Sequence, residues 1–427
     1  MAIELKSTGF ISSFQTLKGN TRISVIFEPL WGIPYAIYSF YLSLYMKSQG
    51  ISDQQIGFLI SIGFIASIIF SAVAGMITDT LGRRKATLIF DLISWPVSLL
   101  LYLLSGNFWL FAIIQVINSL SKIPGVSWNL MLIEDAAPHQ QVIAYNLINT
   151  INISVGIFTP LAGIMIRELG IVTGERVLLV FAIISMTIMI FARNHYYRET
   201  TIGQQILDER REHHQRRRRK FDLSFFKILV KKPLVTVVLL CSILFNAYIP
   251  IGTYSSLYYA PFLTEVLKLD KSAIAILGGI NAAVMLIIFV FIIPRLVQFN
   301  RLLLMAAGLA LQISALLLFI LIPPGHFFIA VACVILFASG FGFVKPFMDA
   351  VLAEVTAGKE RAAIYAFHNT TVAIFSAGFG FMSGFLYALN PALLYMLSIG
   401  ILATCIGILT WLGTSTQGGA VSETVNG

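Results

Sequence analysis

The chain has 427 residues, of which 57% are apolar and 11% charged, with a formal net charge of +9 and a mean hydropathy of +0.85. A soluble domain carries roughly a quarter charged residues, so a water-soluble globule is excluded, as are disordered and collagen-like chains, which hold too little Leu, Ile, Val and Phe. What remains is a polytopic membrane protein, in which about 20 residues make one helical crossing.

Taken in chain order, the apolar runs and their charged or Pro/Gly breaks predict helices over 23–47, 55–78, 86–105, 107–132, 142–166, 176–193, 233–264, 271–294, 301–322, 326–351, 361–387 and 391–412. The first run is too long for a signal-peptide core and has no small-residue cleavage pattern after it, so it reads as a retained helix. Barrel strands would alternate polar and apolar residues, and these runs do not. The expected fold class is therefore all-α, polytopic, with 12 transmembrane helices, hereafter spans 1 to 12. The long polar interruption 194–232 divides them six and six, giving bundles over 1–193 and 233–412, a linker between them, and a tail over 413–427. Within the linker, 202–220 is compatible with a helix lying at the membrane surface or with a solvated coil.

Alternating the loops puts 22 of the 29 Lys and Arg residues on the side that holds both termini and the linker, and five on the other, with Lys122 and Lys345 inside spans. By the positive-inside rule both termini face the cytoplasm, in a plasma membrane. The basic charge thus reports topology and not nucleic-acid binding. The run Arg216, Arg217, Arg218, Arg219 and Lys220 suits anionic headgroups. Cys241, Cys333 and Cys405 each sit alone in an apolar run, which indicates core packing and not a disulfide framework or thiolate metal site.

The two halves repeat weakly. An offset of 220 aligns Glu134 with Glu354, Tyr145 with Tyr365, Asn149 with Asn369 and Thr150 with Thr370, and one more residue of shift aligns Pro29 with Pro250, Tyr38 with Tyr259 and Gly163 with Gly384. Parallel six-helix repeats, pseudo-symmetric about the membrane normal, are a transporter design with a midplane site between the halves.

Between spans 2 and 3 the sequence reads Gly75-Met-Ile-Thr-Asp79-Thr-Leu-Gly82-Arg83-Arg84-Lys85. Gly82 permits a tight reversal, and Asp79 near a helix end can accept from backbone donors or guanidinium groups. This stretch resembles the loop signature of the major facilitator superfamily, and helix count, linker position and repeat extend the resemblance over the whole chain. The resemblance implies a charge network that latches the halves on the cytoplasmic side, carried here by Asp79 and Arg83 with Glu134 or Asp135 as acidic partner. Two departures are visible: Thr80 stands where a basic residue is common, and the matching loop 295–301 lacks the acid and the glycines. Gly156-Ile-Phe-Thr-Pro160-Leu-Ala-Gly163 is similar to a loose form of the span-5 pattern of antiporter members, although small residues at this spacing also simply let helices approach.

A charge inside a span costs at least about 2.5–3.5 kcal/mol, so it needs a partner, a cavity or a function. Glu28, Asp91, Lys122, Lys345 and Asp349 qualify. Lys345 and Asp349 read as a same-helix ion pair, and Asp91 as structural. Lys122 has no acid within four residues, and Glu28 is its expected partner, either as a structural pair or with Glu28 exchanging protons and Lys122 holding an anionic or carbonyl group. His368 is a second possible proton carrier, or else a satisfied buried histidine. Trp31, Tyr35 and Tyr38 share the face of Glu28 on span 1, and Asn246, Tyr254 and Tyr258 repeat the idea on span 7. With Asn118, Asn146, Asn149, Asn281 and Asn369 they predict a polar, aromatic cavity between the halves, since amides facing lipid are costly.

No phosphate-binding loop is present, so an ATP-driven pump is not expected, and neither a metal site nor paired enzymatic groups are seen. The expected function is a monomeric secondary active transporter, not an enzyme and without a cofactor, that moves a small organic solute by alternating access. Proton coupling is expected, with drug or metabolite efflux favoured over nutrient or organic-anion uptake. The rival is a transport-inactive sensor or scaffold, against which the insertion cost of the intramembrane charges argues.

Overall fold

The computed structural model describes residues 14–212, 233–254, 256–296, 298–355 and 361–423, and among these no residue lies in a strand. The helices in chain order are α1 Gly19–Ser48, α2 Asp53–Leu81, α3 Arg83–Leu104, α4 Phe108–Ile133, and a continuous stretch Pro138–Tyr196. Gly170, at φ 74, breaks that stretch into α5 before it and α6 after it. A short polar helix α7, Thr201–Glu212, follows, then α8 Pro233–Gly252 and α9, which starts at Tyr259–Pro261 and continues as a π-turn over Phe262–Val266. The chain then forms α10 Lys271–Leu296, α11 Arg301–Leu321, α12 Phe327–Val355, α13 Arg361–Leu389 and α14 Pro391–Glu423.

Ten of these stretches are long and apolar enough to cross a membrane, one of them the 59-residue run that Gly170 divides. An unbroken helix of that length would extend about 88 Å, nearly three times the hydrocarbon thickness, so it makes two crossings. With those two and the 30-residue α1, whose apolar run is diluted by Thr21, Ser24 and Glu28, the twelve crossings of the sequence reading are all present.

Local chemistry sets several of the ends. Asn107 caps α4 by accepting from the Leu110 amide at 3.0 Å, Asp270 caps α10 through the Ser272 amide at 2.8 Å, and Asn300 caps α11 through Leu302 and Leu303. Gly82, at φ 84, supplies the left-handed residue between α2 and α3. Pro96 inside α3 coincides with a π-turn over Ile93–Val97, where the missing amide loosens the regular ladder.

Two compact units are resolved. The first gathers Met1–Tyr41, Ser48–Gly50 and Ile65–Arg218, and the second Leu42–Lys47, Ile51–Phe64 and Arg219–Gly427. A core of the first unit joins Leu17, Val25, Leu132, Ala144, Leu147 and Ile148. In the second, α11 and α12 approach so closely that a Cβ on Gly340 would lie 2.5 Å from the Gly308 carbonyl oxygen, and a Cβ on Gly57 of α2 would lie 2.8 Å from the Gly384 Cα of α13. Cys241, Cys333 and Cys405 are free and buried.

Three boundaries differ from the sequence reading. Asn194–Tyr196 belong to α6 and not to a linker, α7 occupies the first part of the expected surface helix, and α14 runs on to Glu423. The basic run Arg216–Lys220 lies outside the described residues.

Candidate functional site

At the end of the first unit where α2 meets α3, Arg83 is only 3% exposed. Its Nη2 and Nε donate to the two carboxylate oxygens of Glu134 at 3.1 and 3.2 Å, and its Nη1 to Asp79 Oδ1 at 3.1 Å. Planar two-point contact of this kind is the guanidinium's strongest geometry. The structure thus brings Asp79, Arg83 and Glu134 together, and leaves Asp135 to accept only from the Thr201 amide. All of these partners lie within one unit.

The chain just after α6 completes the network, a contribution the sequence reading missed. Thr200 donates to Glu134, and the Glu199 carboxylate accepts from the Arg83 and Arg84 amides at 2.9 and 3.1 Å, capping α3 at its positive end. A Cβ on Gly82 would fall 2.7 Å from Glu199 Oε2, so glycine is needed there for space as well as for φ. Arg84 donates to the carbonyl and side chain of Asn194. Lys85 and Gly75 are exposed.

Deeper in the same unit lies a second buried charge cluster. Arg193 of α6 forms an ion pair with Asp91 of α3, and Glu28 of α1, 6% exposed, lies close enough to feel both charges. Asn152 of α5 neighbours the Glu28 carboxyl, and Trp95 neighbours Asp91. Arg193 also sits over the Tyr197 ring at 5.7 Å, and the Tyr197 and Ser24 hydroxyls are hydrogen-bonded at 2.6 Å. The cation near Glu28 is therefore Arg193, paired to Asp91, and not the expected Lys122. Lys122 is exposed within its unit, with no ion pair or hydrogen bond among the described residues.

Around α1 the aromatic stripe forms a cluster. Trp31 stacks on Tyr35 at 4.9 Å, and Trp95, carried inward by the π-turn of α3, meets both edge-on at 5.3 and 5.9 Å. Tyr35 is exposed and Trp31 half-buried, but Tyr38 is buried, which corrects its placement on an open wall: its ring packs edge-on against Tyr35 on the covered side. Asn118 is half-buried and donates to the Ser94 carbonyl at 2.9 Å, which occupies the amide with the π-turn. On α5, Asn146, Asn149 and Asn152 recur at intervals of three and are all exposed, so one face of that helix presents a ladder of amides.

The second unit carries its own polar cluster on α8, α12 and α13. Lys345 donates to Asp349 at 2.7 Å and to Asn246 Oδ1 at 3.3 Å, so the same-helix pair has a third member. Asn246 donates to the Ser242 carbonyl, the Ser242 hydroxyl meets His368 Nε2 at 2.9 Å, and His368 Nδ1 faces Asn369 Oδ1 at 3.2 Å. His368 is buried while Asn369 is exposed. Ser242, which joins these helices, is absent from the sequence-derived set because a serine in an apolar run carries no signal of its own.

Two expected wall residues are not on a wall. Tyr258 is fully buried and donates to the Asp53 carbonyl at 2.9 Å. Asn281 is buried, with its amide against Met285 Sδ. Asn281 and Tyr254 do border a cavity of about 30 Å³ with Tyr259 and Tyr395, but that is room for about one water, too little for an organic solute. In the same unit Lys47 bridges Asp53 and Glu265 at 2.8 and 2.7 Å over the Tyr387 ring.

The chain resembles solved structures at low sequence identity. The chain superposes on a D-xylose-proton symporter with a TM-score of 0.69 at 17% identity, covering 95% of this chain and 97% of that one. For the nucleoside transporter NupG the TM-score is 0.67 at 14% identity, covering 92% and 98%. For the inward-open xylose transporter XylE from E. coli it is 0.64 at 16% identity, covering 90% and 94%. No curated protein sequence matches the chain significantly. The sequence profile of the Major Facilitator Superfamily matches over residues 32–381, and the chain belongs to that superfamily.

Proposed function

We propose that this secondary transporter couples a small organic solute to protons through Glu28, and that it works as a monomer. The observation that carries the reading is the burial of Glu28 beside the Asp91–Arg193 ion pair, two acids against one base, next to Asn152. Asn152 belongs at once to a buried charge cluster and to the exposed amide face of α5.

Glu28 and Asp91 carry two formal negative charges against the single positive charge of Arg193. Buried surroundings penalise the uncompensated charge, and one proton neutralises the cluster. A solute that hydrogen-bonds to Asn149 and Asn152 turns the Asn152 amide from the neighbouring Glu28 towards itself. A carboxylate that loses a donor is more readily protonated, so solute and proton bind together. Trp31 and Tyr35 offer a planar apolar surface for stacking, and Lys122, unpaired and exposed, offers a charge to a carbonyl or anionic group of the solute. Intramembrane charges conventionally face a cavity or the bundle interior, which fits Lys122 with this role.

The expected solute is thus a small molecule with hydrogen-bonding groups and a flat or apolar face. The neighbouring structures include a nucleoside transporter and a D-xylose-proton symporter, and solutes of those kinds enter the test as probes. Efflux by proton exchange is the second reading, and the aromatic face of α1 favours it by suiting amphipathic compounds.

The pH dependence of binding separates the two. The full-length protein would be screened by thermal shift against nucleosides, pentoses, organic acids and amphipathic aromatic cations, and each hit measured in liposome counterflow across pH. Co-binding predicts affinity that weakens as pH rises, by up to about tenfold per unit for one coupled proton, and that loses this slope in Glu28→Gln. Affinity that strengthens with pH means exchange. A slope that survives Glu28→Gln unchanged removes Glu28 from the mechanism.

A further inference from the structure

One buried carboxyl in the first unit takes no part in either charge cluster. Glu175 sits on α6, five residues past the break at Gly170, and is 0% exposed. Neither of its oxygens has a hydrogen-bond partner among the described residues. The groups that face it are phenols, Tyr38 from α1 and Tyr102 from α3, with Tyr35 beside them. On the side of α5, the atoms nearest a Cβ on the neighbouring Gly174 would be Ile166 and the Met165 carbonyl. The formal charges nearest in sequence, Arg167, Glu168 and Arg176, are exposed, and the first two pair with each other.

A carboxylate in such surroundings has neither a hydrogen-bond partner nor a counter-charge among the described residues, and an isolated buried charge is among the costliest groups a protein can hold. The neutral acid avoids that cost. Tyr38 and Tyr102 are both buried, and the Tyr102 hydroxyl also accepts from Gln115 at 3.3 Å, so the pocket holds polar hydrogens without holding charge. Retention of an acid here, where Leu or Gln would meet no such penalty, requires a state in which the proton can leave.

We propose that Glu175 is a proton-binding site, loaded in the sealed arrangement seen here and unloaded when a rearrangement admits water between α6, α1 and α3. Only the O–H bond of the carboxylic acid breaks in that step, and the proton passes to the incoming water. Its use in transport rests on the proton coupling proposed above, but occupancy by a proton is measurable without any solute.

The test is infrared difference spectroscopy on the full-length protein in lipid nanodiscs, titrated from neutral to alkaline pH. Wild type should show the carbonyl stretch of a protonated carboxylic acid at neutral pH, and this band should fade as the pH is raised within the range where the fold persists. Glu175→Gln should lack it, and Glu28→Gln should keep it. A neutral-pH spectrum identical in wild type and Glu175→Gln overturns the proposal, and so does a band that never titrates while the protein stays folded. Glu175→Asp, which keeps the acid but shortens its reach, should retain the band at a shifted frequency and serves should the Gln variant fail to fold. Loss of the pH slope of solute binding in Glu28→Gln is read separately, so either proposal can fail alone.

Discussion

Replacing Arg193 by Met tests whether one guanidinium holds two acids. Asp91 and Arg193 form a direct pair, Glu28 lies beside them, and all three are 5–6% exposed. Removing one partner of a buried pair typically costs about 3–5 kcal/mol, because the remaining charge stays buried without compensation. Arg193→Met leaves two such charges, so the upper part of that range is expected, about three powers of ten or more in the folded-to-unfolded ratio. Asp91→Asn removes one acid and leaves Glu28 to compensate Arg193, so its cost should be that of a charged hydrogen bond, about 1.5–3 kcal/mol. The double variant should be more stable than the sum of the singles predicts, since the Asn has already removed a charge that Met leaves stranded. Acid should narrow the gap between Arg193→Met and wild type, because protonated carboxyls need no counter-charge, and alkali should widen it. Fluorescence-detected thermal denaturation in detergent at several pH values reads all three effects. If Asp91→Asn proves more damaging than Arg193→Met, or if the gap is indifferent to pH, the shared-guanidinium reading is wrong.

Other substitutions test other parts of the structure. Gly57→Val should destabilise by several kcal/mol, since its Cβ would meet backbone atoms of Gly384 at 2.8 Å that cannot rotate away; recovery of monodisperse protein checks this. Glu134→Gln should cost about 1.5–3 kcal/mol by weakening the two-point contact with Arg83, whereas Asp135→Asn, exposed and with one backbone bond, should stay within about 0.5 kcal/mol; melting curves of the pair compare them. Lys122→Gln should leave the melting temperature unchanged, having no partner to strand, yet weaken solute binding at least tenfold in thermal-shift titrations if the cation contacts the solute. Cys241 and Cys405, whose sulfurs each point at the other's carbonyl, should resist maleimide in the folded protein and react on unfolding, which mass spectrometry reads directly.

The overall architecture is legible because hydrocarbon thickness converts directly into run length, and the grouping of Asp79, Arg83 and Glu134 is legible because its motif is contiguous except for one acid; all three lie in one unit, so a latch between halves stays an expectation. What the sequence concealed has a common cause. Apolar runs were ended wherever a charge appeared, so span 6 was drawn from 176 to 193. That boundary leaves Glu175 in the preceding loop and puts Arg193 at the last position of the span. The physical break is Gly170, where φ is 74, and α6 extends from there to Tyr196. Both charges lie inside the helix, one without a partner and one with Asp91 and Glu28. Arg193 at a span end reads as a boundary charge and not as an intramembrane one, which leaves Lys122 as the cation expected beside Glu28. Trp95 and Glu199 escaped for a different reason: a π-turn turns the first inward, and a chain reversal after α6 brings back the second, and neither shape is written in hydropathy. A buried ion group can stay in an apolar helix when its partners come from other helices, so a charge at the edge of a hydrophobic run is weak evidence for the end of a span. Positive φ at a glycine is a stronger sign, because the helical ladder cannot pass through it. Drawn that way, the described part of the first bundle holds three buried acids, Glu28, Asp91 and Glu175, and two buried bases, Arg83 and Arg193, of which Arg83 is taken up by Glu134 and Asp79, so only Arg193 serves the three acids. That imbalance is a feature a proton-driven machine can use and an inert scaffold would have no physical reason to keep.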